Sequence, residues 1–564
     1  MNFSLSPESV KRTSIREYLS VNARIFLWFA PILFLSIFFF FPLAKILNLT
    51  FDLATLTDPN HHLVAYNSLL FTFYQAALST ILTFVLGLPS AYLFARFDFR
   101  GKSLLRTLTA VPFMLPTVVV AAAFNSLLGP RGLLPNIFPL STFHFQGTLA
   151  AILIAHVFYN TTIVIRIVGN ALSRLDPKLE QIARSLGADS LRVWRHVTLP
   201  LLRPSLLAAG LLVFLFNFTS FGVILLLGQG NFATLEVEIY IRALQLPNLP
   251  LAALLSVIQL VFTLFISILY SRVVNRSVVQ TAPRFSIARQ PKSIKEKIFV
   301  AALCFLLTTF FLLPLAALPV RSVTRLEADR GQRGEVQYGL TGDYYKELFI
   351  NRRGSLFYVP PAQAVFNSLA YAAVTVLLSL ALGFPAAYAL AKPTALEKYL
   401  DPLIMLPLGA SAVMMGLGFI LSFGRALASP WFVPLAHTLV ALPFVIRALQ
   451  PAIASIPERL RQAAIVLGAS PFRVWQTVDW HILSRAALSA ATFAFTISLG
   501  EFGATLLLSR PEYPTIPIAI QRFLAQPGGM NYGQAMAMAV ILMIVTTLGI
   551  LVIEKFRIQG NDIT

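Results

Sequence analysis

The segment Leu179–Pro200, LEQIARSLGADSLRVWRHVTLP, returns as Leu460–His481, LRQAAIVLGASPFRVWQTVDWH. The copies stand 281 residues apart and align without a gap. Each is a charged stretch between long apolar runs. One polar device built twice into an apolar chain describes a two-fold membrane machine whose loops present the same surface.

Outward from the loop the match continues at the same spacing. Ala155-His156 aligns with Ala436-His437, Val164-Ile165-Arg166 with Val445-Ile446-Arg447, and Phe221-Gly222 with Phe502-Gly503. Upstream the spacing drifts while the words persist. GLPSAYLFAR (Gly87–Arg96) faces GFPAAYALAK (Gly383–Lys392), Met114-Leu115-Pro116 faces Met405-Leu406-Pro407, and Asn67-Ser68-Leu69 faces Asn367-Ser368-Leu369. Chance similarity of apolar helices would not keep Trp, His, Arg and Gly together, so the chain is an internal repeat.

Of 564 residues, 57% are hydrophobic and 12% charged, and the mean hydropathy is +0.74. Soluble domains carry roughly 25% charged residues. The composition predicts an all-α polytopic membrane protein. A helix crosses about 30 Å of hydrocarbon with about 20 residues. Twelve runs qualify, at 25–46, 68–95, 107–128, 148–169, 205–227, 251–270, 298–320, 366–391, 403–423, 435–449, 486–508 and 534–553. The first is longer than the roughly 7–15 apolar residues of a signal peptide, so it reads as an uncleaved span. The basic stretch 271–297 reads as a flexible cytoplasmic linker between a first unit, 1–270, and a second, 298–564. Six spans in each make both units enter the membrane in the same direction, as parallel repeats about an axis along the membrane normal.

An inside N-terminus places most of the 44 Lys and Arg in cytoplasmic segments and predicts that both termini are cytoplasmic. The net charge of +20 then belongs to flanks facing anionic lipid, and nucleic acid is not implied. A long outer loop, Arg321–Val365, is the exception, and reads either as a binding-protein contact or as an insertion. The lone Cys304 excludes an internal disulfide.

Within the first loop, Asp176 and Pro177 suit the start of a short amphipathic helix, Pro177–Leu186. Gly187 turns the chain. Ser190–Val197 reads as a second short helix ended by Leu199-Pro200, and Gly468 repeats the turn. Amphipathic linkers often lie on headgroups, but headgroup contact does not demand a fixed register of Gly, Ala and Trp. A docking surface does.

These loops resemble the "EAA" loop of ABC-importer permeases, in which Glu-Ala-Ala is followed four residues on by Gly and later by Leu-Pro. The residues carrying the resemblance are Gln181, Ala183, Gly187, Leu199 and Pro200 in one copy, and Gln462, Ala463, Ala464 and Gly468 in the other. Gln stands where the family has Glu in both, and the second copy lacks Leu-Pro. The whole chain resembles a tandem-fused type I permease, two units in one chain. The resemblance implies that each loop is a coupling helix seated in a cytoplasmic ABC ATPase homodimer. That partner holds ATP-Mg, and a periplasmic or surface binding protein delivers the solute. It also implies a multi-pass protein of the bacterial inner or plasma membrane with no cofactor, metal or catalytic residue of its own. The residues agree: Gly101-Lys102-Ser103 lacks the earlier glycine of a phosphate loop, Arg96 standing there, and no zinc signature is present.

The wording around Phe218–Gly222 and Ser498–Thr505 resembles the permeases for thiamine and for ferric iron, with the stretch from His156 through Glu236–Leu244 closer to the thiamine type. Glu501 is the expected intramembrane acid, with Ser220 at its place in the first unit. Such a carboxylate faces a cavity or a partner, so translocation path and helix packing are both open for it. Asn217 and Ser220 are open to the same two readings. The matched His156 and His437 suggest either a metal pair or, as repeat symmetry favours, packed histidines bonded to backbone carbonyls. Arg166 and Arg447 are expected to snorkel to headgroups. The rival reading, an ion-coupled secondary transporter with two six-helix halves, leaves the repeated loops without a role, as does a channel.

Overall fold

In a computed structural model, residues 21–137, 145–276, 288–326, 338–351, 358, 360–391 and 393–559 are described. Eleven helices among them are long and apolar enough to cross a membrane, and a bent pair, Ala395–Gly409 and Ala412–Ala428 meeting at 97°, makes up to twelve. The fold is that of two helical units in parallel repeat.

Four of the expected spans are broken where continuous helices were expected. Span three is Lys102–Met114 and Thr117–Leu128, parted at Leu115-Pro116. Pro116 holds Leu115 extended, at ψ 145°. In span nine the Ser411 hydroxyl accepts the Met414 N–H at 3.0 Å and starts the second piece. Span five is Leu199–Phe218 and Gly222–Gly228, and span eleven is Trp480–Gly500 and Gly503–Leu508. The breaks fall at Ser220 and Glu501, the two positions the repeat equates.

With lipid on the outside, helices associate through close packing of small residues. The repeat words turn out to be contact partners. A Cβ on Gly87 would lie 2.7 Å from Val164 Cβ, and one on Gly383 would lie 2.6 Å from Val445 Cγ1. Two other word matches are one helical turn out of register. The residue preceding the second piece of span nine, as Pro116 does in span three, is Ser411, four residues after Pro407. The counterpart of Ser368 is Thr72, four residues after Ser68: Thr72 Oγ1 accepts from Leu235 N–H at 2.9 Å, and Ser368 Oγ from Ile516 N–H at 3.0 Å. Residues i and i+4 share a helix face, so apolar words slide by a turn without losing their match.

The opening span of each unit packs on the other unit. Span one lies against spans six, eight and nine, and span seven against spans three and twelve. Trp28 Nε1 donates to Glu397 Oε1 at 3.3 Å across this exchange. The largest cluster of buried apolar side chains draws on both units, with Phe218, Phe221, Leu255, Phe502 and Met536 among its members. Each unit therefore completes its core with the other.

The basic stretch 271–297 is not wholly a free linker. Span six runs on as helix to Arg276, residues 277–287 lie outside the described residues, and Arg289 pairs with the first unit. Its backbone bridges Phe97, its N–H donates to Arg96 O at 3.1 Å, and its guanidinium binds Glu296 at 2.6 Å. The loop Arg321–Val365, expected on the outer side, is tied down where it is described. Arg321, fully buried, donates to Arg131 O at 2.8 Å and lies over the Tyr532 ring, while Tyr344 is buried against Gly533.

Candidate functional site

Two features recur across the repeat: the loops, and the breaks of spans five and eleven.

The first loop forms a helix at Pro177–Ser185, with Asp176 accepting the Lys178 N–H at 2.9 Å. Gly187 follows at φ +86°, and Ala188 N–H returns to Ala183 O at 3.0 Å. The second loop copies this: helix Glu458–Val466, Gly468 at φ +81°, and Ala469 N–H to Ala464 O at 3.0 Å. An L side chain resists this backbone region, which is why glycine holds both positions. Neither short helix buries a residue. Gln181, Gln462 and Ala463 are exposed, Ala183 and Ala464 half-buried. Leu186 and Leu467, a repeat pair, are 82% and 86% exposed. Leu191, Trp194, Val466 and Phe472 add to an exposed apolar surface at each tip.

Leu199-Pro200 does not end the second short helix. Ser190–Val193, a widened turn at Trp194–Thr198 and span five form one continuous helix, in which Leu199 N–H reaches back to Trp194 O. The extra residue in that turn makes room for a proline that lacks an N–H. The same widened turn recurs at Trp475–Asp479 before His481, so proline alone does not cause it.

Each loop is latched to its unit by a partly buried ion pair, and the charge at the repeat-related position, Glu180 and Arg461, is inverted between copies. Glu180 of the first loop pairs with Arg96 at the end of span two. At the equivalent position Arg461 pairs with Asp479 through bonds of 2.7 and 2.9 Å, and Tyr388 donates to the same carboxylate at 3.3 Å. The carboxylate missing at Gln181 thus has a neighbour at Glu180, already engaged. Arg447 does not simply snorkel: it binds Asp401 at 3.1 Å and Gln450 at 2.9 Å. Arg166 is exposed.

The breaks enclose a cavity of about 290 Å³ between the units. Ser220, Asn217 and Glu501 all line it, so the three predicted path residues come together. Phe221 and Phe502 stack across it with ring centroids 5.7 Å apart, one from each unit. Gly222 and Gly503 follow them; a Cβ on Gly222 would lie 2.8 Å from Thr117 Oγ1, and one on Gly503 3.0 Å from Val413 Cγ2.

Glu501 is engaged by its own chain. Its carboxyl accepts from Ala504 N–H at 3.1 Å, from Thr505 N–H at 3.0 Å and from Thr505 Oγ1 at 3.0 Å. It caps the second piece of span eleven. His437 Nε2 lies 2.8 Å from Thr505 Oγ1 and Nδ1 2.8 Å from Ser498 Oγ. In the first unit His156 sits between Ser79 and Ser220, at 2.9 and 2.8 Å. The partners of both histidines are hydroxyls, where backbone carbonyls were expected. A hydroxyl from a neighbouring span both gives and takes a hydrogen bond, and helix carbonyls are spent on the helix itself. Among the described residues no group of three His, Cys, Asp or Glu is placed to hold a metal. Asn217 is fully buried, accepts from Asn160 Nδ2 at 2.7 Å, and accepts at its backbone carbonyl from Gln75 Nε2 at 2.8 Å, so it also binds helices together.

Glu236 is the residue the sequence reading missed. Residues 228–250 were expected to be an outer loop. Instead Leu235–Tyr240 is a helix with every residue buried, and Glu236 lines the cavity beside Glu501. The signal was present: Thr234–Gln245 and Thr515–Gln526 keep the 281-residue spacing and both enter a short buried helix. A six-residue helix escapes any search for spans of about 20 residues.

The chain matches a sequence family described as "Binding-protein-dependent transport system inner membrane component" over residues 83–279. The Thiamine transport system permease protein ThiP of Brucella abortus (strain 2308) is 29% identical over 487 residues, 84% of each chain. The protein of that name in Escherichia coli (strain K12) is 27% identical over 504 residues, 86% of this chain and 88% of its own. In Haemophilus influenzae it is 26% identical over 507 residues, 88% and 89%.

Proposed function

We propose, for a chain that belongs to the family of binding-protein-dependent transport system inner membrane components, that it carries thiamine across the bacterial cell membrane as the permease of an ATP-driven importer. The chain is the transport subunit and is not itself an enzyme. The observation that carries the reading is the pairing of two exposed, repeat-related loops with a single cavity at the repeat-related helix breaks. In this account the loops are cytoplasmic, and each seats its short helix in one subunit of an ATPase homodimer. ATP-Mg is bound and hydrolysed there. Closure of that dimer pushes the loops together, and the two units rock about the cavity.

The cargo assignment rests on the names of the relatives and on the cavity's chemistry. Thiamine is a permanent cation joined to a second aromatic ring. A cavity with two carboxyls and stacked phenylalanines offers it opposite charge and ring faces. Its volume lies near the lower edge of ligand pockets, roughly 300–1,000 Å³. A binding protein is expected to load the cavity from the side opposite the loops. The test is uptake of radiolabelled thiamine into proteoliposomes holding the permease and its ATPase, with binding protein and ATP supplied. Accumulation that needs the ATPase, the binding protein and ATP supports the assignment. Accumulation of a different solute held by the same binding protein, without thiamine uptake, refutes it.

A further inference from the structure

The two carboxyls of the cavity do not have the same task. Glu501 is saturated: two backbone N–H groups and a hydroxyl of its own half-helix occupy it, and His437 Nε2 stands 3.6 Å away. Glu236 is 1% exposed, and one of its oxygens takes a bond from Gln259 Nε2. The Ser411 hydroxyl is a further hydrogen-bonding neighbour of the carboxyl. Its second oxygen, Oε2, takes no hydrogen bond of good geometry among the described residues. Among the described residues no Lys or Arg lines the cavity. Arg242, in the turn that continues its short helix, is taken by Glu238 at 2.7 Å.

A buried carboxyl oxygen without a donor is costly, and a carboxylate without a counter-ion more so. Chains retain such groups inside membranes where a solute supplies what is missing. The second unit has Pro517 at the place of Glu236, so helix packing at this position does not require an acid. The short helix is held without it, by the Thr72 hydroxyl at its first N–H, as Ser368 holds its counterpart.

We infer that Glu236 is the residue that recognises the positive charge of the transported solute in the cavity, with the Phe221 and Phe502 rings on the path beside it, while Glu501 shapes the cavity by capping a half-helix. This inference rests on the proposed cationic cargo and sharpens it to one carboxylate.

The test compares wild type, Glu236→Gln, Glu236→Asp and Glu236→Ala in the full permease–ATPase complex, with radiolabelled thiamine on its binding protein. Binding-protein docking at the outer face sets KM, and passage of the cation through the cavity sets kcat. Glu236→Gln should lower kcat for uptake on the order of tenfold, the scale of one lost charge contact, with KM for the loaded binding protein within about twofold. Glu236→Asp should recover part of the loss. Glu236→Gln uptake equal to wild type overturns the inference. So does a loss that Asp does not relieve and that follows the thermal stability of the complex across the three variants, because that is a packing role. If the wild type does not carry thiamine, the cargo assignment fails separately. The comparison is then run with the solute that co-purifies on the binding protein: another cation that loses uptake in Glu236→Gln sustains the role of Glu236, and a neutral or anionic solute ends it.

Discussion

Replacing Glu501 separates capping from solute contact. Its carboxyl accepts two backbone N–H groups, from Ala504 and Thr505, at the start of Gly503–Leu508. These N–H groups have no partner within the half-helix, and the site is buried. Glu501→Ala leaves both without an acceptor, a loss of about 2–6 kcal/mol at about 1–3 kcal/mol for each unsatisfied buried group. Glu501→Gln keeps one acceptor oxygen and turns an NH2 toward the other donor, for about 1–2 kcal/mol. Glu501→Asp retains both acceptors and suits a helix start. The predicted order of stability is Glu, Asp, Gln, Ala, read as the thermal unfolding midpoint of the detergent-solubilised complex. Uptake should follow the same order, with Asp near wild type. A stable Glu501→Ala protein, or a Glu501→Asp protein as inactive as Glu501→Ala, would refute the capping argument.

Gly187 and Gly468 have no atom within 4 Å of an added Cβ, so only backbone handedness resists substitution. Asn should be tolerated better than Ala, and Val should be worst, at about 1–2 kcal/mol or more of local strain, measured as ATPase co-purification with each variant. Asp479→Ala strands Arg461, which is mostly buried, and should cost about 2–3 kcal/mol; the exchange Arg461→Asp with Asp479→Arg should restore part of it in the same unfolding assay. Gly533→Val would drive a side chain into the Tyr344 ring, whose nearest atoms lie 2.3 Å from the Cβ position. It should destabilise the complex by about 1–3 kcal/mol, and Tyr344→Ala should relieve the clash.

The fold was legible because a repeat constrains more than a single copy does. Gly87 and Val164 are separate words in the sequence, yet both recur, and the structure places each against the other. The loops were legible in the same way, through Gly187 and Gly468. Apolar words were less exact, since Met-Leu-Pro and Asn-Ser-Leu match one turn away from their structural counterparts. The breaks at Ser220 and Glu501 were hidden because both halves of each span are apolar, and average hydropathy does not register a change of direction. Glu236 was hidden by length, on a buried helix of six residues. The ion pairs Arg96–Glu180 and Arg461–Asp479 were hidden because Glu180 and Arg461, equivalent in the repeat, carry opposite charges and so take partners from different places, Arg96 matching Lys392 and Asp479 matching Thr198.

The central claim is that both loops receive force from a separate ATPase. Leu186 and Leu467 stand at the two tips, repeat-related and almost fully exposed. With Cys304 replaced by Ser, a single cysteine at either position carries a short photo-crosslinker in the assembled, transporting complex. The account predicts that each position couples to an ATPase subunit, with a yield that changes when ATP replaces ADP. Solute accumulation with neither position reaching an ATPase, and with ATP dispensable, would contradict it.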